Sequence, residues 1–216
     1  MTAIATAGRR APLRTLTSTY VVLDADDVDT DQIIPARFLT TTQREGLGRY
    51  AFHDRRGADP ASFPLDAPDA SGAEVLVVGR NFGCGSSREH AVWALADRGF
   101  RAVIGVSFAD IFRANAYANG VLPIALPEAV VRTLMAHRAR HPAARLVIDL
   151  EAKQVVPPNG GAVAFDVPPF ARHCILHGLD ELAFLLDAEP ERAAYERSAR
   201  IPLDTRAALV TSEVTR

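Results

Sequence analysis

The middle of the chain alternates short, uninterrupted apolar runs with stretches in which apolar residues recur every three or four positions. The first pattern is typical of buried strands and the second of amphipathic helices. Strands are therefore predicted at 74–79, 102–106 and 121–126, and helices at 86–98 and 108–118. Continuous apolar strands are typical of a parallel sheet covered on both faces, and Pro123 indicates an edge or a bulge for the third one.

The regions on either side are less regular. A β-rich run at 19–23 ends in an acidic loop at 24–31, and Pro35 then prevents a helix from forming. Residues 40–72 keep neither strand nor helix periodicity, which predicts a long, irregular connection of the kind that often carries function. The remaining pattern predicts a helix at 127–140, strands at 145–150, 154–156 and 162–167 with a hairpin around 157–161, and helices at 169–177, 179–186 and 189–199.

These elements predict one α/β domain. The chain has 216 residues, a length at which about 70% of the unfolded surface becomes buried. Residues 1–200 are expected to form the domain. Residues 201–216, whose periodicity is weak, are expected to form a flexible tail.

Composition excludes several classes of protein. The chain is 48% hydrophobic and 23% charged with a net charge of -2, unlike a nucleic-acid binder or a disordered protein. It has no apolar run of about 18 residues, and its first residues lack the long apolar segment of a secretory signal. We therefore expect a cytoplasmic protein that binds neither nucleic acid nor membranes.

The only cysteines are Cys84 and Cys174, which lie far apart and in different contexts. This spacing argues against a disulfide framework and fits a reducing compartment. Iron–sulfur clusters normally need three or four thiolates, so this chain is not expected to hold one, and no metal site is predicted.

Residues 81–90, NFGCGSSREH, concentrate reactive side chains between a buried strand and a helix predicted to open at Ser86 or Ser87. In open α/β sheets, ligands bind outside the carboxyl ends of the strands, next to helix N-termini. The unpaired N–H groups of a helix start favour an anion there, and Arg88 could clamp a carboxylate or phosphate. The implied ligand is therefore anionic.

The same segment also has a purely structural interpretation. Ser86 and Glu89 have the spacing of a capping box, in which they would satisfy each other's backbone donors. Cys84 has no identifiable base partner and is expected to be an unreactive loop thiol. His90 has no further metal ligand at suitable spacing and is expected to pack. A phosphate loop is disfavoured because no lysine follows the glycines.

Asp26, Asp29 and Asp31 lie in the acidic loop that precedes this segment. They lack the glycine and closing glutamate of a calcium loop, so a solvated turn is predicted. Arg37, displayed after a proline, is either a second anion contact or an ordinary surface charge.

The helix predicted at 108–118 begins where a strand ends, at the same sheet edge as Ser86. Ile111 and Phe112 are expected in the core. Asn115 and Asn119 are expected to support a neighbouring loop.

Four ordered motifs resemble the small subunits of bacterial 3-isopropylmalate dehydratases, and the G-S-S-R-E-H core is similar, more distantly, to the swivelling domain of aconitase. The matching motifs are VDTDQIIPARFL (28–39), GRNFGCGSSREHA (79–91), SFADIFRANAYANGVLPI (107–124) and RHCILHGLDELAFLL (172–186). The resemblance implies a swivelling β/β/α domain with a mixed, largely parallel sheet flanked by helices, followed by C-terminal helices.

The resemblance also implies roles for four residues. Ser86 corresponds to the base that removes and returns the carbon-bound proton of the substrate. Ser87 and Arg88 correspond to residues that bind substrate oxygens, and Arg37 lies in the loop associated with substrate choice. The family's 4Fe–4S cluster belongs to a separate large subunit.

The implied reaction interconverts 2-isopropylmalate and 3-isopropylmalate through 2-isopropylmaleate, in leucine biosynthesis. It implies a heterodimer or higher heteromer with the large subunit, inactive as an isolated chain. Two alternatives remain open. The chain could serve a related hydro-lyase acting on homoaconitate, citraconate or 2,3-dimethylmalate, or it could be a non-catalytic anion-binding module.

Overall fold

A computed structural model describes residues 10–40, 43–56 and 62–198. The predicted tail at 201–216 lies outside this part of the chain. The described residues form one seven-stranded sheet flanked by helices. Its strands are β1 (Thr15–Leu23), β2 (Val75–Val78), β3 (Ala102–Gly105), β4 (Leu122–Ala125), β5 (Arg145–Asp149), β6 (Gln154–Val156) and β7 (Val163–Ala164).

The strand order β4-β3-β2-β1-β5-β6-β7 makes the sheet mixed, as expected. β1 to β4 are parallel, and one row of residues crosses them: Tyr20, Val75, Ala102 and Leu122 lie side by side. β5, β6 and β7 are antiparallel to their neighbours. β1 joins the two halves because its first residues pair with β5 and its last with β2. β4 lies at an edge, which confirms the interpretation of Pro123.

The helices are α1 (Thr30–Ile33), α2 (Glu89–Asp97), α3 (Asp110–Ala118), α4 (Glu128–Arg140), α5 (Pro169–His177), α6 (Glu181–Asp187) and α7 (Glu189–Ser198). The bounds of α5 match the prediction. Among the described residues, no helix combines the length and apolar character needed to cross a membrane.

Both faces of the sheet are covered, and this explains the continuous apolar runs. Along β2, Leu76 and Val78 contribute to a core that also contains buried residues of α2 and α3. Val75 and Val77 point to the other face, where they join a second core with residues of α4 and α5. Because side chains alternate along a strand, a strand buried on both faces must be apolar at every position.

The connection at 40–72 is irregular over its described part, as predicted. Its described residues include 3-10 turns at Gly48–Tyr50, His53–Arg55 and Pro68–Ala70. Phe52 and Phe63 anchor it to the first core, with ring centroids 5.8 Å apart.

Three expectations for the helices are wrong. Pro35 does not prevent a helix from forming, because the single turn α1 is complete before the proline is reached. α2 begins at Glu89, not at Ser86 or Ser87, and the residues before it form a loop that a backbone bridge between Asp29 and Cys84 joins to the segment after β1. Ile111 is 52% exposed whereas Phe112 is 2% exposed. Successive helical residues point about 100° apart, so only one of the two faces the core.

Candidate active site

Three loops meet at the carboxyl ends of the parallel strands. The loop at 79–88, which follows β2, lies between the loop that follows β1 and the loop that follows β3. Backbone bridges join it to both: Asp29 pairs with Cys84 and Phe82 pairs with Phe108. The loop that contains Ser86 therefore lies at the carboxyl ends of the parallel strands, where ligands bind in folds of this class.

The aspartates of the acidic loop do not form a merely solvated turn, which corrects the prediction. The Asp26 carboxylate accepts a hydrogen bond from the backbone N–H of Arg80 at 2.7 Å, and that of Asp27 accepts one from Asn81 Nδ2 at 2.7 Å. Asp29 caps α1 by accepting from the backbone N–H of Gln32 at 2.7 Å. The carboxylates of Asp26 and Asp27 therefore hold the first residues of the loop at 79–88.

Two glycines allow the loop to approach its neighbours closely. A Cβ atom on Gly79 would lie 2.1 Å from Asp26 Oδ1. Gly83 has a φ of +76°, and a Cβ there would lie 2.2 Å from the Phe112 ring. At position 83, only glycine tolerates both the left-handed backbone and the lack of space for a Cβ atom.

The predicted capping box does not form. Arg88 is the N-cap of α2, and its side chain makes no capping hydrogen bond. Glu89 instead accepts a hydrogen bond from Asn119 Nδ2 at 2.7 Å, and Asn119 Oδ1 accepts one from Trp93 Nε1 at 3.0 Å. Asn119 thus joins the end of α3 to the helix α2, and not to a neighbouring loop as expected. Ser86 and Ser87 are exposed.

Arg88 lies beside these serines and is held from the side of α1. Its guanidinium forms an ion pair with Asp31, and its side chain is 19% exposed while that of Asp31 is 54% exposed. The arginine is therefore largely covered and oriented by one carboxylate. A guanidinium has five N–H donors, so others remain for an incoming anion.

Arg37 is held in a separate cluster. Its guanidinium donates to both carboxylate oxygens of Asp54, one of them at 2.9 Å, lies 3.2 Å from His53 Nδ1, and sits 4.7 Å from the Phe38 ring centroid. The hydrogen bond from Arg37 lowers the pKa of Asp54 to about 2, so the carboxylate stays charged at neutral pH. α1 packs against both the turn at His53–Arg55 and α2, so the Arg37 cluster and the Ser86–Arg88 segment lie around the same short helix.

Cys84 and His90 behave as the sequence predicted. Burial, followed by the charges of Asp29 and Asp27, raises the pKa of the Cys84 thiol, which disfavours the reactive thiolate. The His90 ring packs against Trp93 with centroids 4.5 Å apart.

The described residues do not fit an iron–sulfur cluster. They contain no group of three or more histidine, cysteine or carboxylate side chains arranged to hold a metal ion. Both cysteines are free: Cys84 lies in the loop after β2, and Cys174 is buried in α5. A cluster that requires three or four thiolates has no place among these side chains.

Some residues that hold the site were not singled out from the sequence. Thr30 and Asp54 contact candidate residues in the folded chain, but each belongs to a segment without regular periodicity. Only the ordered motif around Thr30 could have drawn attention to it. No local signal marks Asp54.

Comparisons with known proteins agree with this geometry. The family model described as the aconitase C-terminal domain matches residues 11–129, more than half of the chain, and a second model, described as LeuD_N, matches residues 132–169. The chain is similar to a protein named 3-isopropylmalate dehydratase small subunit from Chloroflexus aurantiacus. The two are 49% identical over 199 residues, which cover 90% of this chain and 99% of the relative.

A relative with the same name from Anaeromyxobacter sp. (strain K) is 49% identical over 88% of this chain and 99% of its own. The crystal structure of a 3-isopropylmalate dehydratase from Methanocaldococcus jannaschii superposes with a TM-score of 0.63 at 30% identity, covering 83% of this chain and 98% of that one. The chain therefore belongs to the family of 3-isopropylmalate dehydratase small subunits, which share the aconitase C-terminal domain.

Proposed function

We propose that this chain supplies the proton-transferring and anion-clamping half of a 3-isopropylmalate dehydratase. The complete enzyme would interconvert 2-isopropylmalate and 3-isopropylmalate through 2-isopropylmaleate, by dehydration and rehydration. The observation that carries the proposal is that Ser86 and Ser87 are exposed, take no part in capping α2, and adjoin an arginine oriented by Asp31. The structural alternative for these serines, a capping box, is absent.

In this proposal Ser86 removes and returns the proton on the carbon next to a substrate carboxylate. That step builds negative charge on the carboxylate, and donors already aimed at it provide the largest stabilisation. Ser87 and Arg88 are the proposed donors. A serine hydroxyl is a poor base in water, so it needs positive surroundings. The adjacent start of α2 and the Arg88 guanidinium provide them.

We further propose that Arg37 contributes to substrate choice and that a large subunit completes the site. The Ser86–Ser87 loop is exposed, as expected for a half-site that a second chain covers. The 4Fe–4S cluster is assigned to that large subunit in this proposal. The two free cysteines agree with a cytoplasmic, reducing location for the complex.

The test of this proposal is co-expression of the chain with the large subunit of a 3-isopropylmalate dehydratase, followed by an assay of 2-isopropylmaleate hydration. We expect turnover by the complex and none by the isolated chain. Activity of the isolated chain would contradict the two-subunit proposal. Substrate range is measured by assaying the same complex with citraconate and with homoaconitate. A preference for either compound would favour a related hydro-lyase.

The role of Ser86 is tested by Ser86→Ala in that complex. Loss of the hydroxyl removes the proposed base, so turnover should fall by at least about a hundredfold, while assembly with the large subunit persists. Ser71→Ala is the matched control, because Ser71 is also exposed but lies before β2, at the opposite edge of the sheet. Near-normal turnover of Ser86→Ala would show that Ser86 is not the base.

A further inference from the structure

The helical turn α1 contacts the backbone of Ser86 through one buried side chain. Thr30, which is 2% exposed, donates its hydroxyl to the carbonyl oxygen of Ser86 at 3.0 Å. Its backbone N–H donates to the carbonyl oxygen of Cys84 at 2.9 Å. One residue therefore holds the chain on both sides of Gly85.

Gly85 is the flexible point of this segment, and the two hydrogen bonds restrict it. Its φ is +86°, a left-handed conformation that glycine adopts easily and leaves easily. The direction in which the Ser86 side chain points depends on the backbone torsions at Gly85 and Ser86. Anchoring the carbonyls of Cys84 and Ser86 to one residue limits those torsions and so orients an otherwise exposed hydroxyl.

Thr30 can act as an anchor because α1 is itself held firmly. Asp29 caps the turn, and Gln32 Nε2 donates back to Asp29 Oδ2 at 3.2 Å. Ile33 is fully buried and its carbonyl accepts a hydrogen bond from the backbone N–H of Phe52 at 2.7 Å. The turn is thus tied to the core and to the long connection, away from the serine loop.

We propose that Thr30 is a positioning residue for the proton-transfer step, acting through the backbone of Ser86. Burying a hydroxyl costs free energy unless the group is hydrogen-bonded. The Thr30 hydroxyl meets this need by donating to the backbone carbonyl of Ser86, the proposed base. The inference rests on the proposed function of Ser86. It adds that the buried hydroxyl in α1 sets the alignment of that base.

Thr30→Val tests the inference in the complex with the large subunit, because valine keeps the branched shape and loses only the hydroxyl. A displacement of about 1 Å in a reacting group can cost about a hundredfold in rate, so we expect kcat to fall roughly tenfold to a hundredfold. KM should stay within about twofold, because the substrate-binding groups are unchanged. Thr30→Ser, which restores the hydroxyl, should return kcat to within about threefold of the original complex.

Thr133→Val is the control, because the Thr133 hydroxyl donates to the Ala129 carbonyl at 2.7 Å within α4 and its loss should leave kcat unchanged. Rates are expressed per assembled complex, so a purely structural role would reduce yield without changing kcat. Thr30→Ala provides a second deletion of the hydroxyl if valine prevents assembly, and the same loss of kcat is expected.

Ser86→Ala, measured in parallel, distinguishes a failure of the role proposed for Thr30 from a failure of the base role proposed for Ser86. An inactive Ser86→Ala complex together with a normal kcat for Thr30→Val or Thr30→Ala would overturn the role of Thr30 alone. Normal activity in Ser86→Ala would overturn the base assignment and the inference with it. A loss of kcat that Thr30→Ser fails to restore would also count against a role for the hydroxyl.

Discussion

The guanidinium of Arg88 is held by a single carboxylate, that of Asp31, although its side chain is mostly covered. Because Arg88 is fixed on one side only, an anion arriving at the serine loop can use the donors that remain. A planar guanidinium can bind both oxygens of a carboxylate, whereas the ammonium group of a lysine cannot reproduce that fork.

Arg88→Lys should therefore weaken both substrate binding and transition-state stabilisation. A charge-assisted hydrogen bond contributes about 1.5–3 kcal/mol, so we expect kcat/KM of the complex to fall roughly tenfold to a hundredfold. Arg14→Lys is the control, since Arg14 is paired with Glu151 and precedes β1 at the other edge of the sheet. Steady-state kinetics give the answer, and an unchanged kcat/KM would remove Arg88 from the clamp.

At this scale the sequence indicated which residues are candidates for the chemistry but gave little information about what they contact. The spacing of Ser86 and Glu89 is that of a capping box, yet Glu89 binds Asn119 and the helix begins two residues later than a cap at Ser86 requires. The competing partner is on another helix, 30 residues further along the chain. Local spacing contains no information about such a partner.

At the scale of elements, the loop between β2 and α2 is packed directly against α3. Gly83 lies over the Phe112 ring, which also packs edge-on against Phe82 with centroids 5.2 Å apart. A backbone bridge between Phe82 and Phe108 also joins the loop to the segment just before α3. The packing of a loop on a helix, and not the loop alone, therefore determines where Ser86 lies.

Gly83→Ala should destabilise the protein through both clash and backbone strain. Overpacking costs about 1–3 kcal/mol and the left-handed conformation about 1–2 kcal/mol, so we expect a loss of about 2–4 kcal/mol in the free energy of unfolding. Gly160→Ala is a matched control, because its φ of +83° is similar but no atom lies within 4 Å of the added Cβ. Urea unfolding measures both variants, and equal losses would contradict the packing argument.

Considered as a whole, the molecule is a sheet with one core on each face, and the long connection from β1 to β2 contributes buried residues to the first core. Arg138 of α4, 8% exposed, holds this connection to the sheet. Its Nε donates to the Tyr20 carbonyl at 2.6 Å, and its terminal nitrogens donate to the Asp69 carboxylate at 2.8 Å and the Asp69 carbonyl at 3.1 Å.

Arg138→Met should loosen the connection and lower overall stability. The change leaves buried acceptors without donors, which costs about 1–3 kcal/mol or more, so the free energy of unfolding should fall by about 2–3 kcal/mol. Arg140→Met, on the exposed side of the same helix, should change it by less than about 0.5 kcal/mol. Chemical denaturation distinguishes the two, and a similar change in both variants would argue against the role of Arg138.

The sequence by itself determined the α/β class, most strands and helices, the edge position of β4 and the family. These properties depend on short-range periodicity, on the position of a proline and on ordered motifs. Each of these can be recognised within a short stretch of the sequence. It also indicated which loop carries the candidate chemistry, because the glycines, serines and arginine of that loop are contiguous in the chain.

Only the tertiary structure decided how NFGCGSSREH is used. Ser86 and Ser87 precede α2 instead of capping it, and their loop is joined to Asp29 by a backbone bridge and to Thr30 by two hydrogen bonds. Arg37 and Arg88 are oriented by Asp54 and Asp31, at separations of 17 and 57 residues along the chain. Hydrogen bonds and ion pairs form between whichever groups the fold brings together, and periodicity along a single segment does not specify those partners.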